Sequence, residues 1–440
     1  MTTNKKAALF MAGLSMALVA GCSADVKTDK GKADTPKAET VSSEPVTLSF
    51  LQTSAKMTDD EFKMWVVDPL KKKYPNITLN LVREDNPDKL AELISIGNLP
   101  DIIYAGPVTA AKIVELEAAQ DLNDTVKKNN VDLGKFDPAG ITIAKQLADG
   151  GKLFALPLAF NFSALYYNKE IFDRFAVPYP KDGMMWDEAI ELAKKLTRMD
   201  GGVQYKGLAI DGNINRLGEQ LGLPMVDAKT SKSVLQTDAW KSVFDTYRKI
   251  GQIPDNWLEN PQRIPAFQKD RNLAMLAGLS ARLGEFEQMM SQGQAMNWDM
   301  ATLPAFPQAP KNAFGGGIFY MMMSSKSKHQ TEAFQVIKML TDDEAQTMLS
   351  KQGRRSSLKD PKYSQVFGED LKSLKGKNKD AIFKMTLAPQ PQATKYDDAA
   401  FKELVAGGNQ IAKDPAADVN TVIRQTDEKI NKAVESLLKK

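Results

Sequence analysis

An α/β fold with mostly parallel strands is predicted by three features of the sequence. Runs rich in β-forming residues alternate with amphipathic helical runs from residue 46 onward. Polar or small residues follow directly after the predicted strands, where parallel sheets usually bind ligands. The chain has 440 residues, 42% of them hydrophobic and 26% charged, which is a normal globular composition and enough for two domains.

The first predicted strand spans residues 46–51 and ends in a polar loop that contains Ser54. The following helix is predicted to start at Thr58, whose hydroxyl can cap it, and to stop before Pro75. Its apolar residues recur at helical spacing: Phe62, Trp65, Val66 and Leu70. This order of elements predicts a buried strand covered by an amphipathic helix.

A second strand is predicted at residues 77–85, a helix at 87–97 and a third short strand at 101–106. Glu84 and Gly106 lie at the carboxyl ends of the second and third strands. Because the carboxyl ends of parallel strands meet at one edge of a sheet, Ser54, Glu84 and Gly106 are predicted to line a ligand site.

The N-terminal segment has the pattern of an export signal. Lys5 and Lys6 precede an apolar run at residues 7–20, which is too short for a permanent transmembrane helix. The run ends in LVAGCS, which resembles the lipobox of bacterial lipoproteins and contains the only cysteine, Cys22. The resemblance implies a signal peptide at residues 1–21 and a lipid on Cys22. The polar residues that follow, through residue 45, predict a disordered tether.

Composition argues against several functions. The 58 basic and 55 acidic residues are interleaved and leave a net charge of only +3, so no nucleic-acid partner is predicted. The single histidine, His329, rules out His-rich zinc sites and nucleophile systems that need a histidine base in a convincing context. The FGGGIFY segment lacks the spacing of a phosphate-binding loop. We therefore predict no catalytic residues, no metal and no cofactor.

Three longer segments carry a resemblance to a known family. They are GNLPDIIYAG, GGKLFALPLAFNFSALYYNKEIFDRFAVPYPKDGMMWDEAIELAKKLT and FGGGIFYMMMSSKSKHQTEAFQVIKMLTDDEAQ. In this order they resemble the extracellular solute-binding proteins, family 1, of ABC transporters, which mostly bind sugars. The resemblance implies the type II periplasmic-binding-protein fold, in which two α/β lobes are joined by crossing strands and hold ligand between them. The expected first lobe is residues 46–156 plus 312–348, and the second is 157–311 plus 349–440.

Loop position and the resemblance together select the remaining cleft candidates. Saccharide sites need an aromatic platform beside hydrogen-bonding groups, so Trp257 and Trp298, in predicted loops, and Tyr320, after the glycine triplet, are candidates. Arg354 and Arg355 could bind a carboxylate together, although a helix terminus with one salt bridge is the alternative. The predicted ligand-binding residues are Ser54, Glu84, Gly106, Asn161, Asp211, Asn213, Trp257, Trp298, Tyr320 and Arg354.

The sequence therefore predicts a monomeric receptor, lipid-anchored on the outer face of the cell membrane, that binds a saccharide by hinge closure. Its expected partner is the permease of an ABC importer, and no enzymatic activity is expected. Two alternatives remain open from the sequence. One is a receptor for an anionic sugar, a peptide or a polyamine, and the other is a secreted carbohydrate-active enzyme with two carboxyl groups across the cleft.

Overall fold

The computed structural model describes residues 44–53, 57–84, 86–148, 150–315 and 317–439. The predictions for the signal peptide, the lipid on Cys22, most of the tether and Ser54 concern residues outside these ranges. Within them, no helix is both long enough and apolar enough to cross a bilayer.

The strands are β1 (Val46–Gln52), β2 (Ile77–Arg83), β3 (Ile102–Ala105), β4 (Ala155–Phe160), β5 (Ser163–Asn168), β6 (Arg198–Asp200), β7 (Val203–Ile210), β8 (Val226–Asp227), β9 (Lys232–Ser233), β10 (Leu273–Leu279), β11 (Trp298–Thr302), β12 (Asn312–Ala313), β13 (Ile318–Met323), β14 (Arg355–Ser356) and β15 (Thr386–Leu387).

The α-helices are α1 (Asp59–Phe62), α2 (Asp68–Lys73), α3 (Pro87–Ser95), α4 (Pro107–Glu115), α5 (Asn123–Lys128), α6 (Pro138–Lys145), α7 (Lys169–Arg174), α8 (Trp186–Leu196), α9 (Asn215–Gln220), α10 (Asp238–Gly251), α11 (Asn260–Gln268), α12 (Ala281–Ser291), α13 (Gln330–Leu340), α14 (Asp343–Lys351), α15 (Lys362–Gln365), α16 (Asp397–Lys413) and α17 (Val419–Leu438). A π-helical segment, Lys63–Val67, joins α1 to α2.

The first sheet has the strand order β14-β4-β13-β3-β1-β2. β1 pairs in parallel with β2 and with β3, so the parallel arrangement predicted for residues 46–106 is confirmed. Thr58 caps α1 as predicted: its hydroxyl accepts the Glu61 amide, and Glu61 accepts the Thr58 amide in return. β13 and β14 run antiparallel to their neighbours, because the chain returns to this sheet from the opposite side.

The second sheet has the order β11-β5-β10-β7-β6. β7 and β10 are parallel, and β5 lies antiparallel to both β10 and β11. Each sheet is packed within its own core: Phe50, Ile103 and Phe334 belong to one buried cluster, whereas Phe172 and Phe244 belong to another. The molecule therefore has two α/β lobes. We call the lobe with the six-stranded sheet the first lobe and the other the second lobe.

The chain passes between the lobes at positions that differ from the predicted boundaries. β4 extends the first sheet to Phe160, so the predicted boundary between residues 156 and 157 falls inside a strand. Asn312 and Ala313 pair with β15 beside the second core, so the return to the first lobe comes after residue 313 and not at 312. Tyr363 packs in the first core and Phe367 against the second sheet, so the chain passes from one core to the other between these residues and not at 349.

Candidate functional site

Two crossing segments join the lobes side by side. Residues 161–162 connect β4 to β5, and residues 314–317 connect β12 to β13. The Asn161 amide donates to the Gly317 carbonyl at 2.9 Å, and the Ser163 hydroxyl donates to the Phe314 carbonyl at 3.0 Å. We call residues 161–162 together with 314, 315 and 317 the hinge segments. These two hydrogen bonds link the neighbouring crossing segments to each other.

Glycine at position 315 is required by the geometry of the hinge. Its φ is +61°, a left-handed conformation that side chains other than glycine rarely adopt. A Cβ here would overlap the Leu279 side chain of the second lobe and lie 3.6 Å from an Arg216 guanidinium nitrogen. At Gly317, a Cβ would lie 3.2 Å from the Pro107 ring of the first lobe. The glycines thus let the hinge backbone contact both lobes closely.

The first-lobe edge of the cleft is formed where β1, β3 and β4 end together. Gly106 follows β3 and begins α4 with no side-chain cap, so the first amides of α4 point toward this edge. Asn161 follows β4, and its side-chain oxygen accepts the Ser280 hydroxyl of the second lobe at 2.5 Å. Glu84 follows β2 at the outer end of the same edge, where its carboxylate accepts the Asn86 amide. The structure therefore brings Gly106 and Asn161 together and places Glu84 further out.

Arg354 lies at this edge in a charged and aromatic group. Its guanidinium donates to Glu61 at 2.8 Å and lies over the Trp65 ring, 4.7 Å from the centroid. Tyr104 is close to both charges, and burial raises the pKa of its hydroxyl, an effect that Arg354 partly offsets. Phe319, which is partly exposed, packs on the Tyr104 ring at 5.7 Å. The group combines a paired cation with a partly open aromatic surface.

Arg355 does not act together with Arg354. It is in β14, where its guanidinium donates to the Met385 carbonyl of the second lobe and lies between the rings of Phe160 and Phe383. Burial lowers the pKa of this guanidinium. The alternative role considered for the pair, a helix terminus with one salt bridge, describes Arg354, which follows α14 and pairs with Glu61.

The second-lobe edge carries a cluster of charges around Arg282. Asp211 follows β7 and accepts the Leu279 amide at 3.3 Å, which fixes it at the end of the sheet. Arg282, in the first turn of α12, lies 3.6 Å from Asp211 and 2.7 Å from Glu285. Neither contact is aligned as a hydrogen bond, so charge attraction holds the cluster. Burial raises the pKa of Glu285, although Arg282 and Gln268 act against this rise.

A second ion pair connects this edge to the hinge. Arg216 donates to Glu219 at 2.8 Å, and the same Glu219 oxygen accepts the Gly315 amide at 3.1 Å. Asn213, a predicted site residue, accepts the Arg216 backbone amide at 3.0 Å and so begins the turn that carries this pair. The Glu219 carboxylate therefore links the backbone of Gly315 to Arg216 at the second-lobe edge.

Three predicted aromatic residues do not lie at the cleft edges. Trp298 is in strand β11 and not in a loop; its ring is 2% exposed and stacks on Phe286 at 4.1 Å in the second-lobe core. Tyr320 is in β13 with no exposed surface, and burial raises the pKa of its hydroxyl. Trp257 is in a loop, as predicted, but on the flank of the second lobe beside Tyr247.

Several residues of the cleft edges were missed from the sequence. In the sequence, the position of Glu61 indicates only a helix-capping role. Arg282 lies in α12, and no motif in that part of the sequence indicates a site. Phe319 could have been found from its position next to Tyr320. Neighbouring residues of a strand face opposite sides of the sheet, so if one ring is buried the other faces the opposite side. The edges are completed by Glu61, Tyr104, Arg216, Glu219, Ser280, Arg282 and Phe319.

Two α/β lobes, joined by short crossing segments and facing each other with polar edges, define a two-lobed binding protein. Residues 65–371 match the family described as bacterial extracellular solute-binding protein. The match covers well over half of the chain. The chain belongs to this family, whose members bind solutes outside the cell or in the periplasm.

The chain is also similar to individual relatives and to solved structures. The chain is 23% identical over 355 residues to a "Multiple sugar-binding protein" of Streptococcus mutans, which covers 76% of this chain and 77% of that protein. An ABC substrate-binding protein of Listeria monocytogenes, solved with cycloalternan, has a TM-score of 0.71 at 18% identity and covers 89% of this chain and all of that one. A sugar transporter protein of Rhizobium etli, solved in an open conformation, has a TM-score of 0.67 at 20% identity, covering 89% and 99%. The structural likenesses confirm the predicted two-lobe fold.

Proposed function

We propose that this chain is the substrate-binding lipoprotein of an ABC importer and that it captures a saccharide between its lobes. The observation that carries the proposal is the pair of facing polar edges joined at the hinge segments. Family membership and the sugar-binding relatives support it. A ligand that contacts both edges stabilises the closed form, because only that form offers all contacts at once.

The charges at the edges favour an uncharged, hydroxyl-rich ligand. Arg354 is paired with Glu61, Arg216 with Glu219, and Arg282 with two carboxylates. Bringing a charged group against such pairs gains little, because each charge already has a partner. Sugar hydroxyls both donate and accept, so they can bind paired charges without separating them. This chemistry favours a neutral saccharide over an anionic sugar or a polyamine.

The residues proposed to contact ligand come from both edges. On the first lobe they are Gly106, Asn161 and Arg354, with the partly exposed Phe319 as the aromatic platform in place of Trp298 and Tyr320. On the second lobe they are Asp211, Asn213 and Arg282. Glu84 remains a proposed contact at the outer part of the first-lobe edge. Ser54 remains a proposed contact on the strength of its position in the sequence after β1.

A binding role without turnover is the proposal that best suits the carboxylates. Glu61 on the first-lobe edge is paired with Arg354, and Asp211 and Glu285 on the second-lobe edge share Arg282. A glycosidase needs two carboxyl groups on opposite sides of the scissile bond, one of them free to transfer a proton. The arrangement around Arg282 supports positioning of hydroxyls and not acid–base catalysis.

The proposed anchor is a lipid on Cys22, which holds a monomer at the outer face of the membrane near its permease. Stable anchoring needs more than one acyl chain, and a diacylated cysteine meets that requirement. The polar residues up to 45 would act as the tether. These parts of the proposal depend on the lipobox-like LVAGCS segment.

A thermal-shift screen tests the proposed function. The purified full chain with Cys22→Ser is heated with glucose, maltose, maltotriose or mannobiose, and with spermidine and trigalacturonate as charged comparisons. We expect one neutral saccharide to stabilise the protein by about 2.7 kcal/mol at 100 times its Kd, because it binds only the native state. Mass spectrometry of the recovered sugar is expected to show it intact. Stabilisation by a charged compound alone, or cleavage of the sugar, contradicts the proposal.

A further inference from the structure

A cavity of about 460 Å³ lies on the flank of the second lobe, between the start of β7, the end of α10 and the end of α16. We call it the flank pocket, and its lining includes Gln204, Lys206, Gln252, Ile253, Asp255 and Trp257. Its volume is within the range of small-molecule sites. None of these residues is among those that we assign to the cleft edges, although Trp257 was predicted from the sequence to stack on a sugar.

Lys206 supplies a polar group held in place for a ligand. Its ammonium donates to the carbonyls of Asp255 at 2.6 Å and of Trp257 at 3.3 Å. An ammonium group has three hydrogens, so one remains for an acceptor outside these two. Burial lowers the pKa of this amine, and the charge of Asp255 partly offsets the effect. The amine is therefore fixed in direction and partly desolvated.

The remaining lining residues provide acceptors and an aromatic wall. The Gln252 side-chain nitrogen donates to the carbonyls of Ile411 and Asp414, so the side-chain oxygen remains available as an acceptor. The exposed Asp255 adds a carboxylate. The Trp257 ring is steadied by Tyr247 and by the Arg263 guanidinium at 4.9 Å, and its indole N–H donates to Glu259.

The flank pocket is separate from the cleft. Lys206 is near the start of β7, whereas Asp211 follows the end of the same strand at the cleft edge. Five residues of extended strand span about 16 Å. A ligand in the flank pocket therefore contacts one lobe only and does not depend on closure.

We propose that the flank pocket binds a sugar ring, either free or at the end of a glycan chain. One donor, several acceptors and an aromatic wall are the groups that a sugar ring needs, since its hydroxyls form the rim and its C–H groups form an apolar face. The charges balance, because Lys206 faces Asp255 and Lys413 pairs with Glu259 at 2.5 Å. A neutral ring fits this balance better than a charged one.

The test uses the five tryptophans as separate reporters. The full chain with Cys22→Ser is labelled with 5-fluorotryptophan, and Trp257→Phe assigns the Trp257 resonance by its loss. Glucose, mannose, N-acetylglucosamine, soluble dextran and soluble mannan are titrated while 19F NMR spectra are recorded. We expect a saturable movement of the Trp257 resonance. If the monosaccharides shift the Trp257 resonance, the ligand of the flank pocket is a free sugar. If only the polymers shift it, the ligand is the end of a glycan chain.

Variants separate this proposal from binding at the cleft. Lys206→Met is expected to weaken the Trp257 response at least tenfold, while Lys206→Arg, which keeps a donor, retains it. Lys249→Met removes an equal charge from α10, where the amine pairs with Asp187 outside the pocket, and should leave the response unchanged. A Trp257 resonance that no sugar moves, or that responds equally in Lys206→Met, overturns the proposal. The Trp65 resonance reports the cleft independently, so failure of one site does not decide the other.

Discussion

Replacing Gly207 with alanine is expected to destabilise the protein severely, by about 3 kcal/mol or more, through overpacking. Gly207 is in β7 and packs against Ala193 of α8. A Cβ at Gly207 would overlap the carbonyl oxygen and the Cα of Ala193, and it would lie 2.6 Å from the carbonyl carbon of Ala193. These are backbone atoms of a packed helix, so no side-chain rotation relieves the overlap. Urea unfolding monitored by circular dichroism measures the change in the free energy of unfolding.

Gly284→Ala is the matched control, because it adds the same methyl group elsewhere in the same lobe. Gly284 is an exposed residue inside α12, and a Cβ there would meet nothing within 4 Å. Alanine is favoured over glycine in a helix interior, so this variant should be more stable by up to about 1 kcal/mol. Equal stability of the two variants would show that α8 does not rest on β7 at Gly207.

Replacing Arg282 with methionine is expected to cost about 3 kcal/mol of stability at neutral pH, as removal of one partner from a buried ion cluster does. Arg282 is only 7% exposed and is the cation between Asp211 and Glu285. Its loss leaves two carboxylates close together at a partly buried edge. Chemical unfolding at pH 8 and at pH 5 measures the effect.

The loss should be larger at pH 8 than at pH 5. Burial already raises the pKa of Glu285 in the native protein, and removal of Arg282 raises it further. An acid whose folded-state pKa is raised is stabilising while protonated, and that stability is lost as pH increases through the folded-state pKa. Arg424→Met, which breaks an exposed pair with Glu428, should cost less than about 1 kcal/mol at both pH values. Equal losses for the two variants would contradict a charge-held cluster at Arg282.

The sequence was most informative where its signals are local. The elements between residues 46 and 106 follow from runs of β-forming residues, a Thr58 cap and helical spacing, and the structure has them in that order. Gly106 was predicted at a sheet edge because it follows a predicted strand, whereas Asn161 and Asp211 were selected from loop position and the family resemblance. In the structure each of the three directly follows a strand. The order of strands in each sheet depends on pairing between distant segments, which no local pattern encodes.

Two of the aromatic candidates, Trp298 and Tyr320, are buried, and burial depends on partners far along the chain that no local pattern reveals. Trp298 has loop-forming neighbours, yet Tyr166 and Phe286 enclose it from other elements. Tyr320 and Phe319 are neighbouring aromatic residues, and the orientation of β13 in the sheet leaves Phe319 partly exposed and Tyr320 fully buried. Arg354 required the position of Glu61, 293 residues away, before its ion pair could be recognised.

The lobe boundaries show the same limit. The predicted boundaries at 156, 312 and 348 follow glycines, prolines and helix ends, which mark turns. The crossings depend on which sheet each strand joins. β4 continues in the first sheet beyond the predicted boundary at 156, and β12 pairs with β15 at residues 312–313, where the first lobe was predicted to resume. A turn signal therefore locates a connection but does not say which lobe its strands belong to.

Closure of the two lobes on a saccharide is tested most directly by a distance measured across the cleft. Spin labels at Val108, in α4 of the first lobe, and at Ala281, in α12 of the second lobe, are introduced at these exposed positions by cysteine substitution in the Cys22→Ser chain. Double electron–electron resonance is recorded with and without the saccharide that stabilises the protein, and labels at Ile96 and Val108 provide a control within the first lobe. We predict that the sugar shortens the distance across the cleft and leaves the control distance unchanged. The same distance with and without a bound, stabilising sugar would contradict hinge closure.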